Sequence, residues 1–265
     1  MRIFSLVLMG LFASNAAFSQ EKIALIYKGP GSCEASSVST GCSEAAAAIA
    51  KLAGFKPVFV GVEGVQDASL LKKATVWIQP GGRARIQVQK MSTLIKQQIK
   101  AFVKNGGGYV GFCAGGFLAT EHFGWVDPNP ANSFESDALG LLRGNSRYFD
   151  EYDGELNDHL LAKILPVRWE NANRQIYWEL GPYFDASTTS GTGYEVTAYY
   201  PQTKAGPQKA MNVRGKYFAG KVYVTAVHPE APQDWRSYYR INDQDGLDLE
   251  LAVRMVKWVE PARKR

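Results

Sequence analysis

Short apolar runs alternate with helical patterns along the first half of the chain. Ile23–Tyr27, Pro57–Val60, Ala74–Ile78 and Tyr109–Phe112 are compact runs bounded by breakers, the mark of strands buried on both faces. Between them, Ser43–Ala53 is alanine-rich and ends at Gly54. Ser92–Asn105 sets Leu94, Ile95, Ile99, Phe102 and Val103 on one helical face and runs into Gly106-Gly107-Gly108. Gly115–Glu121 predicts a third helix. Strands alternating with helices are βαβ units, so the expected fold is α/β, with a mostly parallel sheet and helices on both faces.

The pattern changes after Leu139. Tyr194–Tyr199, Ala210–Val213 and Lys221–Val227 read as added strands, with Arg214-Gly215-Lys216 as a hairpin turn. Leu247–Val259 carries Leu249, Val253, Val256 and Trp258 at helical spacing. No stretch rich in Pro, Gly or Ser divides the chain, so residues 20–265 are expected to form a single domain. The first 19 residues stand apart. Arg2, the apolar run Ile3–Phe12, and Ala17 and Ser19 at −3 and −1 predict a signal peptide cleaved near Ser19 and a periplasmic or secreted protein. No later run is long and apolar enough to span a membrane.

Composition narrows the function classes. Apolar residues make up 46% and charged residues 21%, which excludes a disordered or collagen-like chain. The net charge of +5 is dispersed, apart from the tail Arg263-Lys264-Arg265, so no nucleic-acid stripe is expected. In an oxidising compartment Cys33 and Cys42 can pair locally; spacing alone leaves that open, because Cys42 begins a helix. The histidines are scattered and the cysteines lack ligand spacing, so no metal site is expected, and no phosphate-cradling motif or other cofactor site is evident.

The chemistry concentrates in three segments, each after a predicted strand. In Gly111-Phe112-Cys113-Ala114-Gly115-Gly116 small residues flank a cysteine at a strand-to-helix turn, the setting of an exposed, strained nucleophile beside a helix N-terminus. His228-Pro229-Glu230 sets an imidazole and a carboxylate two residues apart at a strand end, supplying a base and a group to orient it. Neither His122 nor His159 has such a setting. Pro80-Gly81-Gly82 can turn backbone N–H groups toward a ligand, and a second such donor follows Cys113. Gly82-Arg83-Ala84-Arg85 is read as part of that loop and not as a biotinyl-adenylate loop. Phe117, Trp125, Tyr177 and Trp178 are candidates to line the pocket, or equally to pack the core.

The order of these motifs resembles the class I glutamine amidotransferase-like superfamily, whose sheet is flavodoxin-like. Tyr27-Lys28-Gly29-Pro30-Gly31-Ser32, Val103–Gly108, Phe112–Gly116 and Tyr177-Trp178-Glu179-Leu180-Gly181-Pro182 are similar to the N-terminal domain of eukaryotic biotin–protein ligases, over essentially the whole mature chain. The resemblance implies Cys113 as nucleophile, His228 as base, Glu230 as its orienting partner, and the Gly82 and Ala114 amides as oxyanion hole. Two features depart from glutamine hydrolysis feeding a synthesis: Phe117 stands where a substrate-binding glutamine is usual, and no synthetase domain is read in these residues. Biotin ligation is not expected. The expected function is a cysteine hydrolase acting on an amide or acyl compound, a small molecule or peptide; the alternative is a binding or regulatory module that keeps the fold without turnover.

Overall fold

The computed structural model describes residues 21–125, 131, 133–149, 162–185, 194–202 and 207–262. The expected signal peptide, His159 and the basic tail lie outside these residues. Among those described, one sheet of 13 strands organises the chain. Its parallel part has the order β2-β1-β3-β4-β13, formed by Ile23–Tyr27 (β1), Lys56–Val60 (β2), Ala74–Gln79 (β3), Gly108–Phe112 (β4) and Gly220–Thr225 (β13). β1, β4 and most of β3 are fully buried, as their unbroken apolar runs require.

Helices cover both faces. Cys42–Leu52 (α1) and Leu249–Val259 (α7) pack together on one side, where the buried Leu251, Ala252, Met255, Val256 and Val259 join Ala46, Ala47, Ile49 and Ala50 of α1 in a single core. Thr93–Lys104 (α4) packs on the other through Ile95, Ile99, Phe102 and Val103. Ser92 caps α4 by accepting from the Ile95 N–H. Burying each such side chain contributes about 1.5–3 kcal/mol before chain entropy is counted. Leu94, also expected on the buried face, is exposed because it falls at the stripe's edge. Two short helices, Ala68–Lys73 (α2) and Ala84–Lys90 (α3), flank β3, and Ala114–Ala119 (α5) follows β4.

Beyond β13 the sheet continues mostly in antiparallel pairs. Ala210–Tyr217 (β12) pairs with β13 and with Pro182–Phe184 (β10), which leads on to Asn145–Tyr148 (β7), His122–Trp125 (β5) and Phe134–Asp137 (β6). Along this path β5 and β7 run parallel, and the other pairs are antiparallel. Glu195–Tyr199 (β11) links β12 to the hairpin of Lys163–Trp169 (β8) and Ala172–Trp178 (β9).

Arg214-Gly215-Lys216 is not a turn: it lies within β12, opposite Tyr223, Val222 and Lys221, and the chain reverses at Phe218-Ala219. Gly215 is needed because a Cβ there would lie 2.3 Å from the Tyr194 ring; it marks a close approach inside a strand. The loop after β3 also ends sooner than expected, since Ala84 and Arg85 already belong to α3.

Candidate active site

The glycines around Cys113 let three backbones meet. A Cβ on Gly111 would lie 2.4 Å from the Gly115 carbonyl oxygen, and one on Gly115 would lie 2.3 Å from that of Gln79. Without side chains at those positions α5 folds back over the ends of β4 and β3. Cys113, at the hinge, takes φ 46° and ψ −101°, a pose that L-residues rarely adopt. Its N–H donates to the Thr225 carbonyl at 2.9 Å, and its Sγ lies 3.6 Å from the Glu179 carbonyl oxygen.

His228 stands just past β13, the strand beside β4. Its N–H donates to the Tyr177 carbonyl at 2.8 Å, and its ring meets Tyr177 and Trp235 edge-on at 5.8 and 5.4 Å. Nδ1 lies 2.8 Å from Glu230 Oε1, with both side chains buried. Burial alone pushes the imidazole pKa down. The Glu230 carboxylate and the Cys113 side chain outweigh it, by charge and by hydrogen bonding, and hold His228 well above its ordinary value. His228 and Cys113 are therefore brought together, with Glu230 behind the ring.

The Pro80-Gly81-Gly82 loop forms the adjoining wall. A Cβ on Gly81 would lie 2.6 Å from His228 Cε1, so only glycine leaves room for the ring. Gly82, at φ 118°, lines the cavity. The neighbouring Arg83 N–H donates to the Gly31 carbonyl at 2.7 Å, which fixes the loop beside Gly82. Polar residues absent from the sequence reading brace this loop. Gln87 Nε2 donates to the Gly81 carbonyl at 3.0 Å, Gln79 Nε2 to Gln87 Oε1 at 2.7 Å, and Trp77 Nε1 to Gln79 Oε1 at 3.0 Å. No local sequence signal marks Gln87, because its role comes from burial against Gln79 and the Gly31 and Gly81 carbonyls, which the fold brings together.

A cavity of about 600 Å³ opens over Cys113 and His228. Its far wall is the segment from Pro30 to Cys42, closed by a Cys33–Cys42 disulfide with a Cα–Cα distance of 5.1 Å. Thr40 fastens this segment to Gln233–Tyr238 (α6): its N–H and hydroxyl both donate to Asp234 Oδ2 at 2.6 Å, and Trp235 Nε1 donates to its carbonyl at 2.6 Å. Tyr148, Tyr177, Trp235, Tyr238 and Tyr239 supply the aromatic lining. Of the aromatics named from sequence, Tyr177 alone is in that lining. Phe117 and Trp178 are buried in the core, and Trp125 packs beside Tyr148. His122 pairs with Asp137 on the exposed β5–β6 edge.

A cysteine hinged between a parallel strand and a helix, with a histidine–glutamate pair at the end of the neighbouring strand, sits here on an α/β sheet with the flavodoxin-like fold of the glutamine amidotransferase-like class. Within that class the chain belongs to the family described as biotin-protein ligase, N terminal, whose model matches residues 23–264. A biotin–protein ligase of Schizosaccharomyces pombe is 26% identical over 178 residues, 62% of this chain and 28% of that protein. The chain thus matches little more than a quarter of that relative's length. The structure of PurLQS from Thermotoga maritima aligns with a TM-score of 0.53 at 16% identity, over 89% of this chain and 98% of that one, a likeness of fold. No helix among the described residues is long and apolar enough to cross a membrane.

Proposed function

We infer that the chain is a Cys–His–Glu hydrolase acting on an amide or related acyl compound in an oxidising compartment, the periplasm or the cell exterior. The observation that carries the reading is the buried His228–Glu230 contact of 2.8 Å beside Cys113, with the imidazole favoured in its charged form. A charged imidazole next to a thiol is the condition for a resting thiolate. The Cys33–Cys42 disulfide supports the compartment.

In the reaction, the Cys113 thiolate attacks the substrate carbonyl carbon. The carbonyl oxygen takes the negative charge and rests against the Gly82 and Ala114 amides. His228 gives its proton to the leaving nitrogen as the C–N bond breaks, leaving a thioester on Cys113. Neutral His228 then takes a proton from water, which adds to the thioester carbonyl; the carboxylic acid departs and the thiolate returns. Glu230 holds the imidazole orientation throughout.

A second reading, a binding or regulatory module without turnover, is favoured by the Cys113 Sγ contact with the Glu179 carbonyl, the geometry of a neutral thiol donor. One experiment separates the two. Cys113 is the free thiol of the chain once Cys33 and Cys42 are paired, so its alkylation by iodoacetamide can be followed directly from about pH 5 to 9, which brackets activated and ordinary thiols. The hydrolase predicts a rate that persists at low pH and collapses in His228→Ala. A rate that follows an ordinary thiol titration, unchanged by that substitution, sinks the nucleophile and leaves the module.

A further inference from the structure

Glu179 is a further charged group of the cavity, beside Arg83, Glu34 and His228, and hydrolysis as described leaves it without a task. Its carbonyl oxygen is the one 3.6 Å from Cys113 Sγ, so its side chain begins beside the nucleophile. Tyr177 Oη donates to Oε2 and Tyr239 Oη to Oε1, each at 3.2 Å. Both donors are neutral phenols: burial pushes the Tyr177 pKa up strongly and that of Tyr239 up to about 12, and the Glu179 charge adds to each shift. The carboxylate is thereby oriented without being neutralised. Among the described residues no Lys or Arg forms an ion pair with it, and the buried Arg236 is engaged by Asp243 and the Ala231 carbonyl. Each carboxylate oxygen retains a further lone pair for a ligand.

A carboxylate fixed among aromatic rings complements a cation with N–H donors, through charge-assisted hydrogen bonds and the negative faces of the rings. Resting on the Cys113 nucleophile above, we propose that Glu179 determines specificity and that the acyl substrate carries an ammonium or other cationic N–H group, held by Glu179 within the aromatic wall. The molecule's other fields oppose this preference. The net charge is +5, Arg83 lines the cavity, and an imidazolium at His228 would favour anions. A cation preference at Cys113 therefore has to arise locally.

Three methanethiosulfonates with one reactive end and different tails test it on the full chain with its disulfide intact. In each, the Cys113 thiolate attacks the sulfenyl sulfur, a mixed disulfide forms and methanesulfinate leaves. The tails are 2-aminoethyl (cationic), ethyl (neutral) and 2-sulfonatoethyl (anionic), with rates normalised to a free thiol peptide at about pH 8.5, where even an ordinary thiol reacts. The expected cation-over-neutral ratio is roughly tenfold, the worth of one hydrogen bond to a charged group, and Glu179→Gln should abolish it. Tyr239→Phe keeps the charge, removes one anchor and should lower the ratio part way. Glu34→Gln, an exposed carboxylate at the rim, should retain most of it.

Equal cationic and neutral rates in the parent protein overturn the proposal. So does a ratio untouched by both site variants, or one lost equally in Glu34→Gln, which would assign it to the general field. Failure of the nucleophile is a separate result: the ordinary pH titration of the iodoacetamide rate, which does not depend on tail charge.

Discussion

Cys113 concentrates conformational strain and chemistry in one residue. A non-glycine residue at φ 46° and ψ −101° costs about 1–3 kcal/mol, and the surroundings impose it: β13 holds the Cys113 N–H, and the glycine contacts of α5 hold the turn. The strain can be read directly by comparing Cys113→Ala with Cys113→Gly. Both delete the thiol, but only glycine relaxes at positive φ. In an ordinary buried position glycine is the less stable of the two by roughly 0.5–1 kcal/mol. Here the order should invert, with the glycine variant melting higher by about 2–4 °C for each kcal/mol gained. Thermal melts of the two proteins side by side suffice, and an alanine variant at least as stable as the glycine variant would show that the turn is unstrained.

At the scale of elements, the cavity depends on segments joined over long sequence distances. The Pro30–Cys42 wall is held by its disulfide and by Thr40 on Asp234, 194 residues away. A bridge closing so short a loop stabilises by roughly 2–3 kcal/mol through the unfolded chain. Combined Cys33→Ser and Cys42→Ser substitution should therefore lower the melting temperature by about 5–10 °C. It should also make Cys113 alkylation less dependent on reagent size, because the wall is freed. An unchanged size dependence would mean that the Thr40 contacts alone keep the wall in place. The same distances explain what could be read from sequence. The parallel strands declare themselves as apolar runs, and Cys113, His228 and Glu230 by local spacing. Glu179 does not, because its meaning comes from Tyr239, 60 residues on. The β8–β9 hairpin was equally hidden: Pro166 interrupts the first strand and the turn falls at Glu170, a non-glycine residue at φ 53°. Nor could spacing decide the Cys33–Cys42 pair, since whether Cys42 at the start of α1 can reach back depends on the fold of the intervening loop.

At the scale of the whole molecule, one buried cation joins the site to the helix that covers the sheet. Arg236 Nη1 donates to the Ala231 carbonyl, next to Glu230, at 2.9 Å, and Nε donates to Asp243 Oδ2 at 2.7 Å. Its Nη2 lies 3.6 Å from Asp248, the residue before α7. Asp248 is nearly inaccessible; burial, then the charge of Asp245, raise its pKa from 3.8 to about 7, against the pull of Arg236. Between those values the folded chain holds a proton that the unfolded chain has released. Stability from this group is thus complete below about pH 4, falls as the pH climbs to about 7, and is level above. Asp248→Asn keeps the size and stays neutral, so it should lose nothing over that interval. The melting temperature of the variant minus that of the parent should grow by several degrees from pH 4 to 7 and then hold steady to pH 8.5. A difference constant over the whole range would mean that Asp248 is already ionised at pH 4. Arg236 would then be paired with carboxylates on both sides, and the link between the His228 loop and α7 would be an ion pair instead of a proton-dependent contact.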